Sequence, residues 1–116
     1  MFKKKSEHNL DTIIGSKGIF KGNIEVNGGA LIDGRVEGDV KIDGVLIVSK
    51  EGCIIGNVWA SDLIIGGKIE GKVYIRNRVE VQSTGKIDGE LHCKILVVDE
   101  GGYVNGLMDM KYQEVE

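Results

Sequence analysis

No proline occurs among the 116 residues, aromatic rings make up 5% of the chain, and Cys53 and Cys93 are its only cysteines. With so few rings, a core has to be assembled from many small β-branched contacts, and the chain is rich in Ile and Val. Two cysteines, and no apolar segment opening the chain, give neither a disulfide framework nor a secretion signal, so a reducing cytoplasm is the expected setting. No apolar run reaches the roughly 18 residues that a membrane-spanning helix needs. A net charge of −3, without a basic groove interleaved with aromatics, argues against nucleic-acid binding. A chain of this length is expected to form one domain.

Glycine, by contrast, is abundant at 18 residues, and much of it is periodic. The pattern apolar-x-Gly-x-apolar-x-apolar occurs as FKGNIEV (20–26), VEGDVKI (36–42), IIGNVWA (54–60), IEGKVYI (69–75), IDGELHC (87–93) and VNGLMDM (104–110). Its central glycines, Gly22, Gly38, Gly56, Gly71, Gly89 and Gly106, are 16, 18, 15, 18 and 17 positions apart. A fixed period of this size is the signature of a repeat architecture. A shorter apolar pair recurs between these segments as Ala30/Ile32, Leu46/Val48, Leu63/Ile65, Val79/Val81 and Leu96/Val98, with Thr12/Ile14 as a partial first copy. Residues two apart share one side of a strand, so each repeat holds at least two short strands.

Turn chemistry separates them, in IDG (32–34, 42–44), NGG (27–29) and EGG (100–102). No interval is long enough for a crossover helix. The spacing therefore predicts a single-domain all-β solenoid of about six coils, 15–18 residues each, stacked at roughly 4.8 Å. The recurring glycine marks either a corner with an unusual backbone angle or a close approach of opposite core walls.

These repeats, together with the opening MFKKK, resemble the bactofilins, a family of bacterial cytoskeletal proteins. The resemblance divides the chain into a membrane-targeting tail at 1–11, a β-helix domain at 12–110 and a C-terminal tail at 111–116. It implies a right-handed, roughly triangular β-helix. It further implies polymerisation end to end, without nucleotide, into filaments on the inner face of the cytoplasmic membrane. The clients it implies are cell-envelope proteins such as peptidoglycan synthases or hydrolases, and other shape-determining factors.

The residues give this reading a physical form. A solenoid's first and last coils present strand edges and an open slice of core, which soluble solenoids normally cap. Here Thr12, Ile13, Ile14, Ile19 and Phe20 would form one sticky end, and Tyr103, Val104, Leu107, Met108 and Met110 the other. Outward positions align into columns. One column reads Glu25, Lys41, Trp59, Tyr74, His92 and Asp109, placing three rings one above another, either to bind neighbouring coils or to dock a partner. A second reads Ile13, Leu31, Ile47, Ile64, Glu80 and Val97, an apolar stripe suited to lateral association of filaments or to coverage by a tail. Met1, Phe2, Lys3, Lys4 and Lys5 pair two apolar side chains with three charges, the makings of a weak anchor on an anionic leaflet.

No catalytic, cofactor or metal site is expected. His8 lies in the tail, His92 lies in the ring column, and Cys93 reads as a small core hydrophobe. Asp33, Asp43 and Asp88 of the IDG segments read as turn formers. The rival enzymatic class is the hexapeptide-repeat acyltransferases, whose inward residues recur every six positions rather than every two. A monomeric β-solenoid binding module is the third possibility.

Overall fold

The computed structural model describes residues 10–14 and 18–110, with side chains from residue 18 onward. Fifteen strands follow one another and no helix occurs among the described residues. In chain order β1 (Leu10–Ile14), β2 (Ile19–Lys21) and β3 (Ile24–Val26) open the winding. β4 (Gly29–Ile32), β5 (Arg35–Glu37), β6 (Val40–Ile42), β7 (Val45–Val48), β8 (Cys53–Ile55) and β9 (Val58–Ala60) continue it. β10 (Asp62–Ile65), β11 (Lys68–Ile75), β12 (Arg78–Val81), β13 (Lys86–His92), β14 (Ile95–Val98) and β15 (Tyr103–Asp109) complete it.

The predicted β-solenoid is what these strands build, in about five turns. β1, β4, β7, β10, β12 and β14 stack in parallel as one six-stranded wall. A second wall contains β2, β5 and β8, and a third contains β3, β6 and β9. From β11 upward the second and third walls are spanned by single continuous strands, β11, β13 and β15. The sequence reading found at least two strands per repeat, and the structure has three strand columns.

The apolar alternation fixes which side of each strand is buried. Ala30/Ile32, Leu46/Val48, Leu63/Ile65 and Val79/Val81 fill the core from the first wall. Val36, Ile54, Ile69 and Ile87 fill it from the second, and Val40/Ile42, Val58/Ala60, Val73/Ile75 and Leu91/Cys93 from the third. In-register parallel pairing stacks like on like, as in Ile54↔Ile69↔Ile87. A one-residue slip would turn every inward side chain outward, so the pattern also fixes the register.

Of the two expectations for the periodic glycine the corner holds, and the close approach is to the coil below rather than to an opposite core wall. The six glycines form the corner between second and third walls, with φ between +125° and +149°. At Gly71 (φ +142°) an added Cβ would lie 2.0 Å from the carbonyl oxygen of Gly56 in the coil below. Next to this column runs a ladder of Asn and Asp. Asn23 Oδ1 accepts the Asp39 amide at 3.0 Å, Asp39 Oδ1 the Asn57 amide at 3.2 Å, and Asn57 Oδ1 the Lys72 amide at 3.2 Å. Above it the column changes to Lys72, Glu90 and Leu107, and there strand pairing runs unbroken through the corner.

The other two corners account for the uneven coil lengths. From the third wall to the first, inward residues are three positions apart at Ala60/Leu63 and Cys93/Leu96, and four apart in the other coils. From the first wall to the second they are four apart at Ile32/Val36 and Ile65/Ile69, and six apart elsewhere. The six-step corners after Val48, Val81 and Val98 hold β-turns, in which Gly52, Gly85 and Gly102 amides donate to the Ser49, Gln82 and Asp99 carbonyls at 2.8, 2.8 and 2.9 Å. Of the IDG aspartates, Asp33 and Asp43 sit at corners, whereas Asp88 lies inside β13.

Candidate functional site

The last coil has the sequence chemistry of the coils below it, and no described residue stacks above it. Val98 is 42% exposed, although its register partners Val81, Ile65 and Val48 are fully buried. Met108 is 44% exposed above fully buried Leu91 and Val73. Ile95, Tyr103, Leu107 and Met110 are likewise exposed, and Leu96 and Val104 only half-buried. At the other end Ile19 is 66% exposed and Phe20 packs half-buried against the core. Apart from Met110, which follows β15, these residues lie on β2, β14 and β15, whose outer edges pair with no other strand among the described residues. Ile13 and Ile14 belong to β1 and pair with Leu31 and Ile32. Met1–Lys5 lie outside the described residues. Val98 escaped the sequence reading because it carries the same pattern as buried positions and only its place in the stack exposes it, whereas Ile95 aligns with exposed Arg78 on the outer side of the first wall.

The three outer walls differ in chemistry. The second carries cations at Arg35, Lys68 and Lys86 beside acids at Glu37, Glu70 and Asp88, with Arg35–Glu37 paired at 2.8 Å and Lys68–Glu70 at 2.7 Å. The hydrogen bond from each cation holds the Glu37 and Glu70 carboxyls below the usual range. Exposed pairs of this kind contribute little to stability. The first wall carries the apolar stripe, with Leu31, Ile47, Ile64 and Val97 stacked in register and all half-buried, interrupted by Glu80.

The third wall carries the ring column. Trp59 and Tyr74 stack with centroids 5.6 Å apart and planes 14° apart, and Tyr74 and His92 at 4.8 Å and 10°. Lys41 Nζ sits 5.4 Å from the centre of the indole. His92 places its two nitrogens 3.2 Å from a Glu90 oxygen and 3.3 Å from an Asp109 oxygen. The rings face one another along the stack, so their faces are occupied within the ladder. What the ladder offers outward is ring edges.

Beside this ladder, at the corner leading to the first wall, is a groove of about 550 Å³ lined by Lys41, Asp43, Trp59, Ala60, Tyr74 and Arg76 among others. It lies where the corner after Ala60 is one position shorter than those directly above and below. Arg76 arches across the recessed coil, and its Nη2 donates to the Asp43 carbonyl at 3.2 Å and lies 3.3 Å from the Asp43 carboxylate. The only trace of this groove in the sequence is the short 15-residue spacing.

Comparison with known proteins adds a separate line of support. The family model for Bactofilin, described as polymer-forming cytoskeletal, matches residues 12–109. Bactofilin BacP of Myxococcus xanthus (strain DK1622) is 26% identical over 103 residues, which are 88% of this chain and 43% of BacP. Bactofilin BacO of the same organism is 22% identical over 113 residues, which are 97% of this chain and 90% of BacO. The chain thus spans less than half the length of one relative and most of the other. No solved structure matches it.

Proposed function

The chain belongs to the bactofilins, the polymer-forming cytoskeletal family, and we propose that it assembles end to end through the open faces of its first and last coils. The observation that carries this reading is the exposure of Val98, Leu107, Met108 and Met110 on the last coil, where apolar side chains meet solvent around unpaired strand edges. Stacking pairs those edges and buries the core slice. At about 25 cal/mol per Å², several hundred Å² contribute on the order of 10 kcal/mol before the cost of association. Burial supplies the driving force, so assembly requires no nucleotide.

Phe20→Arg or Met108→Arg puts a charge into this contact and should convert sedimenting filaments into short soluble species. Sedimentation like that of the parent would overturn end stacking. Electron microscopy of the purified protein without nucleotide provides the direct image, and separates a filament from a monomeric binding module or an acyltransferase-like oligomer.

The filament lies on the inner face of the cytoplasmic membrane. No helix among the described residues is long and apolar enough to cross a bilayer, and Met1, Phe2 and Lys3–Lys5 supply a peripheral anchor of about 1 kcal/mol per Lys on an anionic leaflet. Clients, for which the family resemblance suggests cell-envelope enzymes and shape proteins, dock on the outer walls. The indole edge of Trp59 on the third wall is offered for that purpose.

A further inference from the structure

The outer side of the first wall carries charges that find no partner within the chain. Arg78 and Glu80 face outward on β12, one on each side of buried Val79. Lys94 and Asp99 flank β14 in the coil above. Among the described residues none of these four side chains enters an ion pair or a hydrogen bond. The second wall makes the contrast, because Arg35–Glu37 and Lys68–Glu70 have the same two-residue spacing and close within the chain.

Around these open charges the first wall is apolar, with Leu31, Val45, Ile47, Ile64 and Val97 half-buried and Ile95 46% exposed. Ile95 points away from the core, beside Arg78, so a further coil stacked on β14 leaves it uncovered. The remaining charge on the wall, Asp62, accepts from Ser61 Oγ at 3.1 Å and Asn77 Nδ2 at 2.9 Å. At the corners Asp43 pairs with Arg76, and Asp33 accepts from Ser49 Oγ. Lys50, Glu51 and Glu100 lie beyond, in the turns.

Opposite charges on either side of one line make a face complementary to itself. That line runs up the stack over Leu63, Val79 and Leu96. A half-turn about an axis parallel to it brings up a second copy pointing the same way. Arg78 then meets Glu80 of the second copy, and Glu80 meets its Arg78. Lys94 faces Asp99 of the second copy, Ile95 faces Val97, and Val45 faces Ile47. Asp62 comes opposite Ile64 and keeps its own two hydrogen bonds, so that row contributes the Ile64 side chain alone. Turning the second copy end for end, between β10 and β12, sets Arg78 against Asp62 but leaves Glu80, Lys94 and Asp99 opposite Ile64, Gly44 and Ser49.

We propose that the first wall is a lateral interface between copies of this chain that point the same way, held in register by reciprocal Arg78–Glu80 pairs. Five coils at about 4.8 Å each and a width of about five residues give two faces that bury roughly 800 Å² together. Stable interfaces start at about 1,200 Å², so separate chains pair weakly. A rod repeats the face in every copy, and two rods pair firmly. The inference rests on end-to-end assembly and adds the side on which filaments meet.

Arg78→Glu and Glu80→Arg filaments, grown separately, test it. Each variant alone should lose most of the bundles that pellet at low speed, while the high-speed pellet of single filaments stays as in the parent. Mixing the two preformed populations should restore the low-speed pellet, because every opposed pair again has opposite signs. Both substitutions in one chain should restore it too, and added salt should thin the bundles of the parent.

A parent that forms only single filaments would overturn the proposal, as would single variants that bundle like the parent. Recovery in the double variant but not on mixing would also overturn it, since the two charges would then act within one chain. In each of these outcomes filaments still form, so end stacking stands. If no filaments form, end stacking fails, and amide shifts of the chain at millimolar concentration decide the lateral contact. Concentration-dependent shifts confined to β7, β10, β12 and β14 support it, and their absence overturns it.

Discussion

At the scale of single residues, the glycine column decides what the chain can tolerate. Gly71 combines φ +142° with a backbone oxygen 2.0 Å from where a Cβ would be, whereas at Gly22 (φ +135°) the nearest described atom is in the Phe20 ring, 3.6 Å away. Gly71→Ala suffers both backbone strain and a clash with a rigid neighbour, and should cost about 3 kcal/mol or more. Gly22→Ala suffers the strain alone, about 1–2 kcal/mol. Urea midpoints at unchanged slope measure the difference, and equal losses would mean that the stacked carbonyls do not constrain the corner. Cys93 gives a pH signature. Burial pushes its thiol up to about 11 from an ordinary 9.0, with the Asp109 carboxylate adding to the shift. The folded chain thus holds this proton after the unfolded chain has lost it. The stabilisation is complete below about pH 9 and is lost as pH rises towards 11, on the order of 2–3 kcal/mol. Cys93→Val should flatten that decline relative to the parent in urea titrations at pH 8 and pH 10.

At the scale of strands and corners, legibility followed periodicity. Inward pairs such as Leu46/Val48 and Leu63/Ile65 could be read because a buried strand repeats every second residue, whatever lies between strands. The third column was harder to see. A glycine corner with positive φ looks like one more strand position, so the segments on either side of Gly22, Gly38 and Gly56 read as a single strand. The uneven spacing is two independent corner choices added together, and neither choice is visible until the strands are paired. The ring ladder was legible because three aromatic side chains share one register, but the groove beside it arises from a missing residue, which has no letter of its own. The apolar stripe on the first wall belongs to this scale too. Ile64 stands between Ile47 and Glu80 on the outer side of β10, so Ile64→Lys adds a charge there without touching the core. Light scattering and micrographs should show fewer bundles and unchanged single filaments, whereas loss of all filaments would show that the stripe serves the longitudinal contact.

At the scale of the whole molecule, the proposed end-to-end filament would turn a weak terminal signal into a strong one. One copy of Met1–Lys5 carries three lysines, about 3 kcal/mol of attraction to an anionic leaflet before apolar insertion, which leaves a single chain in rapid exchange with solution. Stacked coils hold many such segments along one rod, and every attachment after the first is intramolecular, so binding grows with filament length. Attachment of this proposed kind would in turn concentrate chains on the surface and favour stacking. The two halves of this coupling separate by mutation. A chain lacking residues 1–5 should still form filaments but should no longer sediment with anionic vesicles. Met108→Arg keeps the segment but loses the rod, and should also sediment poorly, especially as salt screens the lysines. If the short species bound vesicles as tightly as filaments do, avidity would have no part in attachment, and Met1–Lys5 would have to suffice alone.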